Sequence, residues 1–260
     1  MAARVADQIA AHLKAADVRR IFSLSGNQIM SLYDALFDHD IEIVHVRHEA
    51  AAVHMADAWA RVTDSPGVAL LTAGPGHANA ISAMYTARGA DSPIVTLSGH
   101  APVAQAGQCA FQEMDQAAMA APACKAALTP TTATALSASI PNGLRMATSG
   151  RPGPVQISMP VDILEGAPAD ITTPPAGELD PLVPNLEVVT TLINQARKPL
   201  LLAGPAAMRG ETWTALQSLS DHHLPVLGCE SPRGLRDPSL GAFAEILKQL
   251  GNEFFSITRE

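Results

Sequence analysis

Short apolar runs alternate with helical patterns along the first part of this chain. Runs typical of buried strands lie at 41–46, 68–72, 94–97 and 155–159. Stretches with helical spacing or many helix-forming small residues lie at 5–16, 29–36, 50–62 and 79–88. Strands separated by helices indicate parallel pairing, because a parallel connection has to cross back over the sheet. The sequence therefore predicts the α/β class, with a doubly wound parallel sheet.

A proline-rich stretch separates this pattern from a second one. Five prolines fall between residues 166 and 185, namely Pro168, Pro174, Pro175, Pro181 and Pro184. Helical and strand patterns then restart at 186–196, 200–202, 212–222 and 226–228. We expect a first domain at 1–165, a linker at 166–185 and an incomplete second α/β domain at 186–260. Because two strands are fewer than a sheet usually holds, we expect the chain to be truncated.

Composition argues against several classes of protein. Hydrophobic residues make up 47 % and charged residues 16 % of the chain, a balance that supports a packed core rather than disorder. The formal net charge of −8 argues against a nucleic-acid surface, which would need clustered cations. No stretch approaches the roughly 20 apolar residues that span a bilayer. The three cysteines form neither a CxxC pair nor a zinc spacing, so we expect a reducing, cytoplasmic location.

The first candidate site segment is Arg47-His48-Glu49, between a predicted strand and a predicted helix. Ligands of open α/β sheets bind at the loops that follow the carboxyl ends of the strands. The helix dipole alone also favours an acidic residue in the first turn, so a purely structural explanation of Glu49 stands beside a functional one. The apolar run at 50–53 would dehydrate the carboxylate. Glu49 is therefore a candidate catalytic carboxylate.

Two further segments follow later strands of the predicted sheet. The segment 72–79 contains Gly74-Pro75-Gly76, which could hold an anion on backbone N–H groups, yet it matches neither the dinucleotide nor the P-loop fingerprint. It is otherwise a tight turn that lets a ligand or another segment approach closely. The run at 107–116 is polar with one aromatic residue, which suits a pocket lining or a solvated loop before a helix. A nicotinamide-binding enzyme fits the strand–glycine–helix pattern but lacks the fingerprint.

Five motifs, in this order, resemble those of one enzyme family. They are Phe22-Ser23-Leu24-Ser25-Gly26, Arg47-His48-Glu49-Ala50-Ala51-Ala52, Gly74-Pro75-Gly76 with Asn79, Ala110-Phe111-Gln112-Glu113, and Gly150-Arg151-Pro152-Gly153-Pro154. Together they are similar to the thiamine-diphosphate (ThDP) enzymes that include acetolactate synthase, oxalyl-CoA decarboxylase and 2-hydroxyacyl-CoA lyase. The resemblance implies that the first domain binds the pyrimidine of ThDP and that the remainder begins the central domain of such an enzyme.

The resemblance also implies roles for single residues. Glu49 would hydrogen-bond a pyrimidine ring nitrogen and favour the imino tautomer, which removes the thiazolium C2 proton and so activates the cofactor for attack on a 2-keto acid. The implied cofactor-binding residues are Gly26, Glu49, Gly74, Pro75, Gly76 and Asn79. Phe111 and Gln112 would face the substrate. The nearby histidines could assist proton transfer, although a single histidine is more often structural; they are His48, His54 and His77.

The chain departs from the family pattern in two respects. Ser25 stands where the family usually has proline, so the first loop is expected to sit differently. The family binds the diphosphate through Mg²⁺ at a GDG segment of a C-terminal domain, and this sequence has no such segment. No metal-binding residue is therefore assigned. We expect half of a site and no turnover by the chain alone, with assembly as a homodimer or larger homo-oligomer or with a partner chain that carries the diphosphate-binding domain.

The expected activity is ThDP-dependent decarboxylation or carboligation of a 2-keto acid, in the transferase and lyase classes and of the acetolactate-synthase type. Two alternatives stay open. One is a lyase for 2-hydroxyacyl-CoA or oxalyl-CoA, and the other is a non-catalytic remnant that serves in assembly. FAD in the second domain is an option that no motif supports. An unfinished domain is also expected to expose apolar surface and to cause self-association.

Overall fold

A computed structural model describes residues 3–169, 185–197, 199, 201–208, 210–221 and 226–228. The chain divides into two units, Met1–Leu186 and Glu187–Glu260. Most of the expected linker at 166–185 lies outside the described residues, as does everything after 228. The domain bounds expected from the sequence therefore stay predictions.

The first unit contains a six-stranded sheet in which every neighbouring pair is parallel. Its strands are β1 (Arg20–Ser23), β2 (Glu42–His45), β3 (Gly67–Leu71), β4 (Ile94–His100), β5 (Ala126–Leu128) and β6 (Val155–Pro160). They lie in the order β2-β1-β3-β4-β6-β5. Because all pairs are parallel, the carboxyl ends of the strands share one edge of the sheet, and the loops that follow them can meet there.

Helices cover both faces of this sheet. They are α1 (Val5–Ala15), α2 (Met30–Phe37), α3 (Glu49–Thr63), α4 (Pro75–Gly89), α5 (Gln116–Ala120), α6 (Ala133–Thr148) and α7 (Val161–Leu164). Side chains alternate along a strand, so Val68 and Leu70 of β3 pack with α1, α2 and α6, whereas Ala69 and Leu71 pack with α3, α4 and α5. Burial on both faces explains the continuous apolar runs. The predicted doubly wound parallel sheet is confirmed.

Small residues allow α3 and α4 to pack closely on the sheet. Buried alanines recur on both helices at 52, 56, 60, 80, 83 and 87. A Cβ atom added to Gly67 of β3 would lie only 2.0 Å from the carbonyl oxygen of Ala56, so the backbone of α3 lies directly on the strand. Both helices begin at the carboxyl edge of the sheet because each follows a strand. Their first turns are therefore brought to the same edge.

Some elements differ from those expected. Helix α4 begins at Pro75, not at Asn79, so the expected Gly74–Gly76 turn is mostly the first turn of a helix. Proline suits this position because it has no N–H to leave unpaired and its φ is already helical. Strands β1 and β5 and helices α6 and α7 were not predicted. Both strands are short, at four and three residues, and β5 has no β-branched residue. Helix α6 contains Pro141, a residue normally excluded from helix interiors, and α7 is only four residues long.

The second unit contains helices and a parallel strand pair close to the positions expected. Its described elements are α8 (Leu186–Gln195), β7 (Leu201–Ala203), α9 (Gly210–Asp221) and β8 (Val226–Gly228). Five apolar side chains of α8 are exposed, namely Leu186, Val188, Val189, Leu192 and Ile193. Self-association through apolar surface stays a prediction. In the described part of the chain no helix is both long and apolar enough to cross a membrane.

Candidate cofactor site

The strand order identifies a candidate ligand-binding position at the carboxyl edge of the sheet. After β1 the chain leads to β2 on one side, and it later returns to β3 on the other side of β1. Ligands of open α/β sheets bind at such a switch point. Gly26 follows β1, and a Cβ atom there would lie 2.3 Å from Oγ1 of Thr72, which follows β3. Glycine is therefore required for the approach of these two segments.

Glu49 lies at the neighbouring strand end, as the first residue of α3. His48 is the N-cap of this helix, and its Nδ1 accepts a hydrogen bond of 3.2 Å from the backbone N–H of Ala50. Only 8 % of the Glu49 surface is exposed. The positive end of the helix dipole favours the carboxylate and offsets part of the cost of burying it. The burial expected from the apolar run at 50–53 is confirmed.

The first turn of α4 packs against the Glu49 carboxylate. Asn79 Nδ2 donates a hydrogen bond of 3.0 Å to Glu49 Oε2. A Cβ atom on Gly76 would lie 3.0 Å from Glu49 Oε1 and 2.5 Å from Cγ2 of Thr72. Glycine at 76 therefore leaves the other carboxylate oxygen facing bare backbone. The structure thus brings together Glu49, Gly76 and Asn79, three residues that the sequence assigned to the site, and joins them to Gly26 through Thr72.

Gly74 connects this group to the polar loop after β4. It has a φ of +57°, a conformation that favours glycine, and it is the N-cap of α4. A Cβ atom there would lie 2.7 Å from the carbonyl oxygen of Gln112. The backbone N–H of Gly74 also donates a hydrogen bond of 2.8 Å to Oε1 of Gln116. The second and third candidate segments therefore meet at Gly74, with Pro75 starting the helix behind it.

The substrate-side loop, which we define as residues 107–113, is open to solvent. Phe111 has 72 % of its surface exposed, and Gln112 has a φ of +60°. The Glu113 carboxylate accepts hydrogen bonds from the backbone N–H groups of Gly107 and Ala110, and these donors lower the pKa of Glu113. Of the two expected substrate-side residues, Gln112 therefore contacts the Gly74 backbone, whereas the Phe111 side chain points away from the packed core.

The three histidines differ in their surroundings. His77 is fully buried in the first turn of α4, and burial lowers its pKa to about 4. Its Nδ1 lies 2.9 Å from Ser98 Oγ and its Nε2 lies 3.1 Å from the carbonyl oxygen of Gln116. Since a carbonyl can only accept, Nε2–H donates and Nδ1 accepts. Both ring nitrogens of His77 are therefore hydrogen-bonded inside the core, whereas His48 caps α3 and His54 is exposed on α3.

Three polar residues of the site were not assigned individually from the sequence, although Thr72 and Gln116 lie in the candidate segments 72–79 and 107–116. Thr72 touches Gly26 and Gly76, and its hydroxyl donates a hydrogen bond of 2.9 Å to Gln28 Oε1. Gln116 receives the Gly74 N–H. Thr72 comes directly after a buried strand, which is a readable signal of a site position. Nothing in the sequence distinguished Gln28 from other glutamines, and the position of Gln116 in the run 107–116 did not predict its burial, which depends on the packing of distant segments.

The group around Glu49 suits one part of ThDP, the aminopyrimidine. This ring presents nitrogen acceptors and an amino donor, which a carboxyl group and backbone groups can pair with by hydrogen bonds. Glu49 offers the carboxyl group, held by Asn79, and Gly76 leaves backbone open beside it. The described residues contain no group of three or more His, Cys, Asp or Glu side chains that could hold a metal ion. The chemistry of the described site therefore suits the pyrimidine, and none of its residues is assigned to Mg²⁺.

Comparisons with known proteins bear on the same assignment. Residues 3–119 match a family model described as "Thiamine pyrophosphate enzyme, N-terminal TPP binding domain", where TPP is another name for ThDP. The catabolic acetolactate synthase of Raoultella terrigena is 39 % identical over 215 residues, which are 81 % of this chain and 38 % of that protein. A probable acetolactate synthase of Mycobacterium bovis is 35 % identical over 234 residues, 87 % of this chain and 43 % of that protein.

A relative with a different activity is also similar. The 2-hydroxyacyl-CoA lyase 2 of Caenorhabditis elegans is 40 % identical over 156 residues, 60 % of this chain and 24 % of that protein. The chain thus spans less than half the length of each of these relatives. The resemblance carried by the five motifs is confirmed, and the chain belongs to the thiamine pyrophosphate enzyme family, with its residues 3–119 in the N-terminal TPP binding domain.

Proposed function

We propose that this chain supplies the pyrimidine side of a ThDP site in an acetolactate-synthase-like enzyme that decarboxylates a 2-keto acid and joins the resulting fragment to a second substrate. The single observation that carries the proposal is the buried Glu49 carboxylate, which lies against Gly76 and accepts a hydrogen bond from Asn79. The similarity to two acetolactate synthases over most of the chain supports the reaction type.

Each residue of the site has a distinct part in this proposal. When bound, ThDP supplies a nucleophilic carbon and an electron sink for decarboxylation. Glu49 would hold a proton between its carboxyl group and a pyrimidine nitrogen, and Asn79 would keep that carboxyl group in one orientation. Gly26, Gly74 and Gly76 would let backbone approach the ring, with Pro75 fixing the start of the helix. Phe111 and Gln112 would act on the substrate side.

The site needs a second half for the diphosphate. We propose that residues other than those described hold the diphosphate and Mg²⁺, in a partner chain that carries a diphosphate-binding domain, and that the chain also assembles as a homo-oligomer. The match of residues 3–119 to an N-terminal TPP binding domain supports a separate location for the rest of the site. Acetolactate formation from pyruvate by the purified chain, with ThDP and Mg²⁺ alone, would contradict it.

Calorimetric titration of ThDP and Mg²⁺ tests the pyrimidine role directly. We expect Glu49→Gln to weaken binding relative to the unmodified chain, because a neutral amide cannot share a proton with the ring nitrogen as a carboxyl group does. Glu42→Gln is the matched control, since Glu42 is an exposed glutamate on β2. If the chain alone does not bind, the same three proteins are compared after reconstitution with the diphosphate-binding part. Equal affinity of the Glu49→Gln variant and the control would contradict the proposal.

The activity of a lyase for CoA thioesters is a second candidate function. The similarity to a 2-hydroxyacyl-CoA lyase, at 40 % identity over 60 % of this chain, favours keeping it. An assay of the reconstituted enzyme with pyruvate against oxalyl-CoA separates the two, because we expect turnover of pyruvate alone. A third outcome, in which Glu49→Gln has no effect on a cofactor-dependent assembly, would indicate a non-catalytic remnant.

A further inference from the structure

Gln116 is a buried polar side chain with hydrogen bonds to three different segments. It is the first residue of α5 and is fully buried. Its Oε1 accepts the Gly74 N–H at 2.8 Å. Its Nε2 donates to the carbonyl oxygen of Gly99 and to Ser158 Oγ, both at 3.0 Å. These partners lie just after β3 and at the carboxyl ends of β4 and β6, so one side chain spans this edge of the sheet.

The bond to Gly74 satisfies a group that the helix cannot satisfy itself. Gly74 is the N-cap of α4, and the first N–H groups of a helix have no partner within it. A side chain that reaches between Gly74 and the sheet must accept on one side and donate on the other, and a glutamine amide does both. Asparagine is shorter and would not bridge the same distance.

Two further contacts join the segment 112–116 to the start of α4. The carbonyl oxygen of Gln116 accepts the Nε2–H of His77, which lies in the first turn of α4. Four residues earlier, the backbone of Gln112 lies so close to Gly74 that a Cβ atom there would be 2.7 Å from the Gln112 carbonyl oxygen. The start of α4 and the segment 112–116 therefore form one packed body.

We propose that Gln116 is a positioning residue of the cofactor site. By holding the Gly74 N–H, it sets the start of α4, and with it Gly76 and Asn79, against the Glu49 carboxylate. It also fixes Gln112 on the opposite side of Gly74, so the cofactor-side and substrate-side residues keep fixed positions relative to each other. The consequence for ThDP binding rests on the function proposed above, whereas the consequence for the position of Gly74 does not.

Three variants separate a positioning role from a merely structural one. Gln116→Met keeps the length of the side chain and loses both the acceptor and the donor. Gln116→Glu keeps an acceptor for Gly74 in either protonation state. Ser158→Ala removes one partner on the sheet side and leaves the Gly74 bond intact. All three should lower the melting temperature, because each removes a buried hydrogen bond.

Amide hydrogen exchange of Gly74, followed by NMR on the intact chain, is the deciding measurement. We expect exchange roughly twofold to tenfold faster in Gln116→Met, the range that the loss of one net hydrogen bond gives. Gln116→Glu and Ser158→Ala should exchange like the unmodified chain, and the Gly76 and Gln112 amide resonances should shift only in Gln116→Met. Gly74 protection that falls in all three variants in proportion to the melting temperature would overturn the proposal.

A ThDP titration of the same variants tests the functional consequence. Weaker binding in Gln116→Met, with affinity restored in Gln116→Glu, is the expected result. If the unmodified protein fails to bind ThDP even after reconstitution, the proposed function fails, and the exchange experiment still decides whether Gln116 sets Gly74. If ThDP binds all three variants equally while Gly74 exchange changes only in Gln116→Met, the link between Gln116 and the cofactor is wrong.

Discussion

Two glutamates of the candidate site, Glu49 and Glu113, are held in opposite ways. Glu49 is buried at the start of a fifteen-residue helix, and its one hydrogen bond within the described part of the chain comes from the Asn79 side chain. Glu113 is partly exposed, and its carboxylate accepts backbone N–H groups of its own loop. The Glu113 carboxylate is already used to shape a loop, whereas the Glu49 carboxylate retains capacity for a ligand. Hydrogen-bond satisfaction, rather than charge, distinguishes the two.

The same substitution at both positions gives the largest expected effect. In the enzyme reconstituted with its diphosphate-binding part, Glu49→Gln should lower kcat/KM by a factor of roughly 10² to 10⁴, the typical contribution of a positioned acid or base. Glu113→Gln keeps an acceptor oxygen for the loop, so its effect should be far smaller. Steady-state kinetics with pyruvate measures both. Equal losses of kcat/KM would mean that Glu49 and Glu113 do not have the different roles that their hydrogen bonds indicate.

His77 belongs to α4 and donates a hydrogen bond to the backbone of Gln116. It therefore links the helix that contacts Glu49 to the segment that follows Glu113. Its pKa is lowered to about 4 in the folded chain, whereas an unfolded histidine titrates near 6.5. Between these values the unfolded state binds more protons, so stability falls as the pH drops from about 6.5 to about 4. The pKa difference corresponds to a loss of about 3 kcal/mol.

Urea unfolding at several pH values between 7 and 4 checks this dependence. His77→Gln should be less stable at pH 7 and should lose less stability on acidification, since the group that takes up the proton is gone. His45→Gln is the control, because His45 is exposed on β2. An unchanged slope in His77→Gln would show that other groups carry the acid sensitivity.

Two glycines on α4 sharpen the contrast between tightly packed and open positions. A Cβ atom on Gly76 would meet Thr72 and the Glu49 carboxylate, so Gly76→Ala should cost about 1–3 kcal/mol through overpacking. Gly89 lies on the same helix with nothing within 4 Å of an added Cβ atom, so Gly89→Ala should stabilise by about 0.5–1 kcal/mol. Chemical denaturation measures both changes. A Gly76→Ala variant as stable as the unmodified chain would contradict the tight packing assigned to Gly76, and a destabilised Gly89→Ala variant would contradict the open position assigned to Gly89.

The sequence predicted the sheet and part of the site for a common physical reason. Buried parallel strands need continuous apolar runs, and site residues follow those runs, so Glu49 and Gly76 could be placed without a structure. The hydrogen bonds of Gln116 could not be predicted, although it lies in the candidate run 107–116, because its partners come from three segments that are distant in sequence. Helix α6 was missed since Pro141 contradicts local helix propensity and tertiary packing overrides it. The features that the sequence did not predict are therefore those that depend on packing between segments distant in sequence.

The smallest expected effect concerns the substrate-side loop itself. Backbone donors lower the pKa of Glu113 below its ordinary value, so the contribution of this carboxylate to loop order is fully present above the ordinary pKa near 4.5 and is lost as the pH falls through the lower value in the folded chain. Glu113→Gln retains one acceptor oxygen where the carboxylate uses two, for Gly107 and Ala110. We expect only modestly faster backbone exchange at those two residues.

Amide hydrogen exchange, measured at neutral pH on the unmodified chain, Glu113→Gln and Glu113→Ala, tests whether the Glu113 contacts stabilise only their own loop or also the region around Glu49. Glu113→Ala should accelerate exchange at Gly107 and Ala110 more than Glu113→Gln does, because it removes every acceptor. Amide exchange at Asn79 and Gly76 should be unaffected, since the Glu113 carboxylate accepts hydrogen bonds from Gly107 and Ala110 of its own loop. Faster exchange at Gly76 in either variant would show that loop order and the Glu49 region depend on each other, and the two glutamates would then belong to one cooperative unit.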